Sequence, residues 1–218
     1  FATEIYTKQD IENSKSKDVY DFLSSQTSVN VSPSFGNTFS QKLDLRGYGI
    51  GDGYQNIVVL LNGRKLNNID MSTQLLSSIP LESVEKIEIL KGTGSVAFGD
   101  GANAGVINII TNGKNDNYIK SYVGNNGTKN ATASLGFNYE KIIANALIDY
   151  TSTDGTRVDL NDDKDENYNK NKNFNITYFP TDDLELNLTR NYSNMDTKYA
   201  GSLTLEKYNL NFTSFFFK

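Results

Sequence analysis

The first half of the chain, residues 1–113, mixes helix-like segments with short apolar runs. Lys86 to Ile89 alternate polar and apolar side chains, the two-residue period of a half-buried strand. Val58 to Leu61 form a continuous apolar run, and Asn62-Gly63 follows as a hairpin turn signal. Further helices and short strands are expected at Lys8 to Asn13, Asp18 to Ser25, Val29 to Val31, Leu43 to Arg46, and Met71 to Ser78 before Pro80. We therefore predict a small mixed α/β domain here.

The second half, residues 117–218, alternates apolar and polar positions. The clearest runs are Asn130 to Tyr139, Ile142 to Tyr150, Asn173 to Tyr178 and Leu184 to Thr189. Runs of about 9–11 residues match tilted membrane-spanning strands, which need apolar side chains towards lipid and polar ones towards water. A soluble antiparallel sandwich with one wet face gives the same alternation. The pattern alone leaves both architectures open.

The connections between these runs differ in length. Tyr139 to Lys141 and Pro180 to Asp183 are tight, whereas the link from Thr153 to Lys172 is long, polar and acidic. Short turns on one side and long loops on the other are typical of outer-membrane barrels.

Glycines crowd the stretch between the Lys86 strand and the apolar run from Val106 to Ile110. Such a cluster indicates backbone packed where side chains do not fit. Gly92 to Ala97 fits the dinucleotide fingerprint G-x-G-x-x-G/A. That site also needs a helix of several turns, and Gly99 to Gly101 interrupt it. Nucleotide binding is therefore disfavoured.

The run from Val84 to Thr111 resembles the signature of the plug domain of TonB-dependent outer-membrane receptors. The family pattern is V-E-[RK]-I-E-V-L-[RK]-G-x-x-S-x-L-Y-G-x-G-A-x-G-G-V-I-N-I-x-T. Upstream, Leu45 to Gly47 and Ile57 to Gly63 resemble two further family segments, in the same order and at similar spacing. Thr93 and Ala97-Phe98 depart from the pattern. The signature residues that carry most of the resemblance are Gly92, Gly99, Gly101, Gly105 and Asn108.

The resemblance implies a mixed α/β plug domain over residues 1–113, followed by antiparallel transmembrane β-barrel strands over residues 117–218. The alternating runs amount to five or six strands, whereas the family's barrel has about 22. We therefore expect a partial barrel, belonging to a fragment, a truncated chain or an interrupted gene product. The signal peptide and the TonB box are expected to precede Phe1. The tail from Phe212 to Lys218 resembles no family segment.

By the same resemblance, the protein is a receptor and transporter in the outer membrane of a Gram-negative bacterium. Its partners would be TonB, which drives uptake from the inner membrane, outer-membrane lipid and a small ligand, most often a ferric siderophore or other iron complex. Tyr199 to Thr204 resembles a segment of some siderophore receptors. The rival interpretation is a soluble periplasmic binding or interaction module built on a plug-like domain. An enzyme is strongly disfavoured.

Candidate site residues follow from the resemblance. Arg46 and Lys91 are expected to pair with acidic residues on the barrel wall, with ordinary solvated charges as the alternative. Ligand contacts are expected from glycine- and aromatic-rich loops, through Phe35, Asn37, Tyr48 and Tyr54. The alternative is that these loops are turns only.

Composition narrows the remaining chemistry. The chain has no cysteine and no histidine, so Ser95 lacks the usual activating base, and thiolate or imidazole metal sites are excluded. A net charge of −5 disfavours nucleic acid as a partner. Asp159 to Asp165 alternate like half of a calcium loop, but Lys164 and Lys170 occupy its glycine and glutamate positions. We predict no cofactor, metal or catalytic residue.

Overall fold

A computed structural model describes residues 2–34, 37–48, 56–66, 76–92, 95–111, 117–155, 164–198 and 205–217. The chain divides into two compact units, Phe1–Asn112 and Gly113–Lys218. In the first unit the strands are β1 (Ala2–Thr7), β2 (Asn30–Ser34), β3 (Asn37–Asp44), β4 (Ile57–Leu61), β5 (Arg64–Lys65), β6 (Lys86–Lys91) and β7 (Gly105–Ile110). Its helices are α1 (Lys8–Ser14), α2 (Val19–Gln26) and α3 (Ser95–Phe98), with short 3-10 turns at Leu76–Ser78 and Leu81–Ser83.

The helices of the first unit begin where the sequence supplies caps. Thr7 and Asp10 form a capping box around the start of α1, with the Asp10 carboxylate 2.8 Å from the Thr7 backbone nitrogen. Asp18 accepts a hydrogen bond from the Asp21 backbone at the start of α2. The helix α2 then buries Tyr20 and Phe22. Both helices lie where the sequence predicts them.

A five-stranded sheet in the order β1-β6-β7-β4-β5 forms the centre of the first unit. β4 and β7 run parallel, and the other neighbours run antiparallel. Every residue of β4 is buried, as expected for a strand covered on both faces. β2 and β3 form a separate hairpin. The apolar core packs Val58 and Leu60 against Ala102 and Val106.

The second unit is a six-stranded antiparallel meander, β8 to β13, in sequence order. Because β8 and β13 lie at opposite ends of that order, the sheet is an open wall in the part of the chain that the structure describes. Its strands are β8 (Tyr118–Val123), β9 (Lys129–Tyr139), β10 (Ile142–Thr153), β11 (Asn167–Thr181), β12 (Leu184–Lys198) and β13 (Leu205–Phe217). The fold is a mixed α/β plug followed by antiparallel partial-barrel strands, as the sequence predicts.

Several predicted boundaries were wrong. β3 ends at Asp44, because Arg46 and Gly47 turn the chain with φ angles of 62° and 74°. β11 and β12 each have 15 residues rather than 9–11. β11 begins at Asn167 inside the predicted loop, because asparagine fills its buried positions and hides the strand from a hydrophobic pattern. The tail forms β13, and residues 71–75 of the third predicted helix lie outside the described ranges.

Candidate functional site

The glycine-rich connection between β6 and β7 contains the signature residues. Gly92, Gly99 and Gly101 have φ angles of 118°, 76° and 91°, which L-residues other than glycine rarely adopt. The helix between them, α3, has four residues. A one-turn helix does not provide the N-terminus that a pyrophosphate site requires. The glycines at these three positions instead supply backbone conformations that other residues avoid.

Gly105 allows a close approach of the backbone at the start of β7. A Cβ atom built on Gly105 would lie 2.4 Å from the carbonyl oxygen of Leu90 and 2.6 Å from Cδ2 of Leu45. Gly105 pairs with Lys91 across the β6–β7 ladder. Only glycine fits here without displacing the backbone.

Asn108 of β7 links β6 to the β4–β5 turn through its side chain. Its Nδ2 donates to Glu88 Oε2 on β6 at 3.0 Å, and its Oδ1 accepts from the backbone nitrogen of Gly63 at 3.3 Å. Next to it, Asn62 Nδ2 donates to Thr111 Oγ1 at 2.9 Å, and the Thr111 nitrogen donates to Asn62 Oδ1 at 2.8 Å. These amides fix the β4–β5 turn against β7.

The connecting loop is also held from the β4–β5 side. Lys65 Nζ donates to the carbonyl oxygen of Asp100 at 2.7 Å. Asn103 Nδ2 donates to Asn56 Oδ1 at 3.0 Å, and the Ala104 nitrogen donates to the Asn56 carbonyl at 2.8 Å. The glycine-rich loop therefore has defined polar attachments to β5 and to Asn56, the residue that precedes β4.

The two predicted pairing cations lie in different surroundings. Lys91 Nζ forms an ion pair with Glu4 of β1, and both side chains are about three-quarters buried (relative exposure 29% and 25%). Partial burial alone would raise the pKa of Glu4, but the bonds from Lys91 and Ser28 lower it below its usual range. Arg46 is exposed. The structure thus joins Lys91 to β1, and pairing of Arg46 or Lys91 with the wall stays a prediction.

Two of the four predicted ligand-contact residues lie outside the described part of the chain. Phe35 and Tyr54 fall outside it, and Asn37 is the first residue of β3. Tyr48 is 42% exposed. Of the calcium-like loop, Asp165 is described, and its carbonyl accepts from Asn167 Nδ2 at 2.8 Å. The ligand contacts stay a prediction.

The second unit buries polar side chains on one face of its sheet. Asn171 is 2% exposed and Asn175 is 6% exposed, although asparagine normally lies on protein surfaces. The same face also buries two apolar side chains, Leu147 and Met195. Its buried polar residues are Asn130, Thr132, Ser134, Asp149, Asn167, Asn169, Asn171, Asn173, Asn175, Thr177, Asn187, Thr189, Ser193 and Thr197.

Asp149 on β10 is the centre of this polar network. It accepts hydrogen bonds from Asn130 Nδ2 at 2.9 Å, Thr132 Oγ1 at 2.8 Å and Asn171 Nδ2 at 3.3 Å. Ser193 Oγ donates to Asn171 Oδ1 at 2.6 Å, which extends the network to β12. A buried carboxylate is tolerated because several donors replace its water.

Asparagines and threonines continue the network along β11 and β12. Asn175 Nδ2 donates to Thr189 Oγ1 at 2.9 Å, and Asn187 Nδ2 donates to Thr177 Oγ1 at 2.8 Å. Sequence reasoning missed Asp149 and this ladder. The available signal was asparagine at every second position from Asn167 to Asn175.

The opposite face of the same sheet exposes large apolar side chains. Leu135 is 71% exposed and Ile119 is 88% exposed. Aromatic rings stack on this face, with Phe137 and Tyr139 centroids 6.2 Å apart. The exposed set is Ile119, Val123, Leu135, Phe137, Tyr139, Ile142, Ile148, Tyr168, Phe174, Ile176, Tyr178, Leu184, Leu188 and Phe215. The sheet is therefore polar where it is buried and apolar where it is exposed.

The described residues contain neither a cluster of metal-ligating side chains nor a membrane-spanning helix. His, Cys, Asp and Glu side chains there form no group of three suited to a metal ion. The helices of that part are too short or too polar to cross a membrane.

The chain is similar to proteins of one family. The family model "TonB-dependent Receptor Plug Domain" matches residues 1–106. The vitamin B12 transporter BtuB of Vibrio vulnificus (strain CMCP6) is 31% identical over 110 residues, which are 50% of this chain and 17% of that protein.

Solved structures share the fold of both units. The siderophore receptor PirA from Acinetobacter baumannii gives a TM-score of 0.71 at 21% identity, over 92% of this chain and 32% of that one. The copper transporter OprC gives 0.73 at 18% identity, over 98% of this chain and 34% of that one. The chain thus spans about a third of the length of these two solved proteins. Its match to the curated relative covers 17% of that protein. Residues 1–106 are a TonB-dependent receptor plug domain, and through it the chain belongs to the TonB-dependent receptor family.

Proposed function

We propose that this chain forms the plug and the first wall strands of an outer-membrane transporter that takes up a scarce nutrient, namely a ferric siderophore or other iron complex. TonB, acting from the inner membrane, would supply the energy by pulling on a segment ahead of the plug. In this proposal, residues 1–113 form the plug and residues 117–218 form the wall.

The observation that carries the proposal is the inverted sheet of the second unit. A water-soluble sandwich buries its apolar face, whereas this sheet buries Asn171 and exposes Leu135. Lipid outside and water or protein inside favour that arrangement. It argues against the soluble periplasmic module, which would leave a wide apolar face in water.

The edge of the apolar face supports tilted, membrane-spanning strands. On β10 the exposed apolar positions extend to Ile148, which pairs with Lys172 on β11. On β11 the uninterrupted exposed apolar positions stop earlier, at Phe174, because Lys172 and Lys170 separate them from Tyr168. On β12 they stop at Leu188, before Arg190. The apolar band therefore crosses the hydrogen-bonded rows obliquely, as strands tilted by about 45° require.

A matched pair of substitutions tests the membrane part of this proposal. Leu135 in the second unit and Ile5 in the plug are both exposed apolar side chains, at 71% and 59%. A soluble protein would tolerate arginine at either. Against lipid, Leu135→Arg should cost about 2–4 kcal/mol, while Ile5→Arg stays near neutral. Urea unfolding of the chain refolded into lipid vesicles measures both, and equal tolerance would reject the wall assignment.

The choice of an iron complex as the substrate depends on a short sequence resemblance and on the names of similar proteins. Tyr199 to Thr204 resembles a segment of siderophore receptors, and PirA is named for siderophores, but BtuB is named for vitamin B12 and OprC for copper. Growth of a deletion strain on single ferric siderophores, vitamin B12, limiting copper or sugars would identify the class. Iron uptake predicts loss on one siderophore with growth on ferrous iron retained, and unchanged growth on every source would reject the uptake role.

A further inference from the structure

Three cations form a contiguous group on the exposed face of the wall, and we refer to Lys170, Lys172 and Arg190 as the cationic cluster. Lys170 and Lys172 are two residues apart on β11, so both side chains lie on the same face. Arg190 on β12 pairs with Phe174, and it lies two residues from Tyr192, the partner of Lys172. The cluster therefore begins where the apolar band ends.

Tyrosines accompany the two lysines. Lys170 Nζ lies 5.9 Å from the ring centroid of Tyr150, and Lys172 Nζ lies 5.8 Å from that of Tyr192. A cation over an aromatic face is attracted by the negative face of the ring. Rings and charges are thus held side by side at one height of the wall.

The charges of the cluster are not neutralised within the sheet. In the described part of the chain, none of the three forms an ion pair. Arg190 Nη1 donates instead to the hydroxyl of Thr213 at 2.9 Å. The acids of this face, Glu166 and Asp196, lie further towards the long β10–β11 loop.

An anion outside the protein would complete this arrangement. Lysine and arginine side chains at the edge of an apolar band reach towards the membrane surface, and tyrosines prefer the same level. Phosphate oxygens accept strong charge-assisted bonds from such groups. We propose that the cationic cluster binds the phosphate-bearing headgroup of a membrane lipid, an inference that rests on the wall lying in a membrane as proposed above.

A single tryptophan reports the lipid beside the cluster, because the chain contains no tryptophan of its own. Tyr192→Trp keeps an aromatic ring beneath Lys172. The full chain carrying this reporter is placed in vesicles in which either phosphatidylcholine or phosphatidylglycerol is brominated, and quenching by each gives their relative association at that position. Leu135→Trp is the control reporter, since apolar residues surround it on the exposed face.

The expected result is a preference of the Tyr192→Trp reporter for the anionic lipid of about fivefold, the factor that one lysine near an anionic surface supplies. Lys170→Gln with Lys172→Gln should reduce the preference towards onefold, whereas Lys15→Gln with Lys17→Gln, which changes the net charge equally in the plug, should leave it unchanged. Arginine at both wall positions should preserve it.

The outcomes separate this inference from the proposed function. Equal quenching by both lipids at Tyr192→Trp, or a preference that survives the double glutamine variant, overturns the headgroup site while leaving the wall in the membrane. Loss of the preference in millimolar inorganic phosphate overturns the lipid assignment in favour of a free anion. Absence of quenching by either lipid at both reporters overturns the membrane proposal itself.

Discussion

Replacing Gly105 with alanine tests whether close contact with the neighbouring backbone explains glycine at this signature position. The new methyl group would lie 2.4 Å from the Leu90 carbonyl oxygen and 2.6 Å from Leu45 Cδ2. The leucine side chain can rotate away, but the carbonyl belongs to β6, whose ladder with β7 fixes it. The substitution therefore forces the two central strands apart.

The magnitude follows from two opposing terms. Overpacking a well-filled site costs about 1–3 kcal/mol, with the upper end expected where a backbone atom is the obstacle. Removing a glycine from a strand returns about 0.5–1 kcal/mol. We expect a net loss near 2 kcal/mol in local stability, which is roughly a thirtyfold increase in the opening equilibrium.

Hydrogen exchange of the backbone amides of β6 and β7 in the full chain measures this opening. Gly99→Ala is the matched control: its φ angle is 76°, but an added Cβ would meet no atom within 4 Å. Left-handed strain of about 1–2 kcal/mol is then its whole cost, and it falls on the loop. Exchange in β7 that responds equally to both variants, or more to Gly99→Ala, would refute the close-contact explanation.

Three further predictions concern the polar contacts. Lys91→Met should leave Glu4 unpaired and speed amide exchange in β1 by about fivefold, since a partly exposed pair contributes up to about 1 kcal/mol; unchanged exchange would show that the pair does not hold the strand. Hydrogen bonds from Lys86, and then Asn108, outweigh partial burial and lower the pKa of Glu88, and that of Glu4 is lowered too. The stability that these two ionised carboxylates contribute is therefore present above pH 4.5, and it is lost as the pH falls through their lowered pKa values. Acid should therefore destabilise the plug less in the Glu4→Gln, Glu88→Gln double variant, and urea titrations at falling pH would measure the difference. Asp149→Ala strands several buried donors and should cost at least about 1–3 kcal/mol, with Asp149→Asn less damaging; no change in the unfolding midpoint of vesicle-bound chain would contradict that role.

The plug was predictable because its sequence uses ordinary rules. Caps at Thr7 and Asp18 start its helices, and the Asn62-Gly63 signal forms a turn with φ angles of 52° and 79°. The bond from Asn108 to Glu88 was not predictable, because it depends on the register that brings β6 beside β7. Periodicity specifies which face a residue occupies, but not its neighbour across the sheet.

The wall shows a second limit of sequence reasoning. Alternation separates Asn173 from Phe174, but it does not state which of the two faces is buried. Hydrophobicity alone would bury Phe174, and the structure buries Asn173. The preceding plug signature favoured the inverted assignment, and asparagine at buried positions then hid the beginning of β11. A polar interior is thus recognisable in sequence only when another feature identifies the surroundings of the sheet.

The edge position of β1 gives the plug a graded resistance to force. Its side chains are exposed or half-buried, whereas Ile87 and Ile89 of β6 and Ile107 of β7 are fully buried. Detaching β1 therefore breaks one antiparallel ladder, the Glu4 ion pair and the ring contact of Tyr6 with the buried Phe22, but it leaves the β6–β7 ladder intact. If TonB pulls from the amino-terminal side, as proposed, β1 should yield first, and the glycine-packed β6–β7 pair should yield only at a much higher free-energy cost.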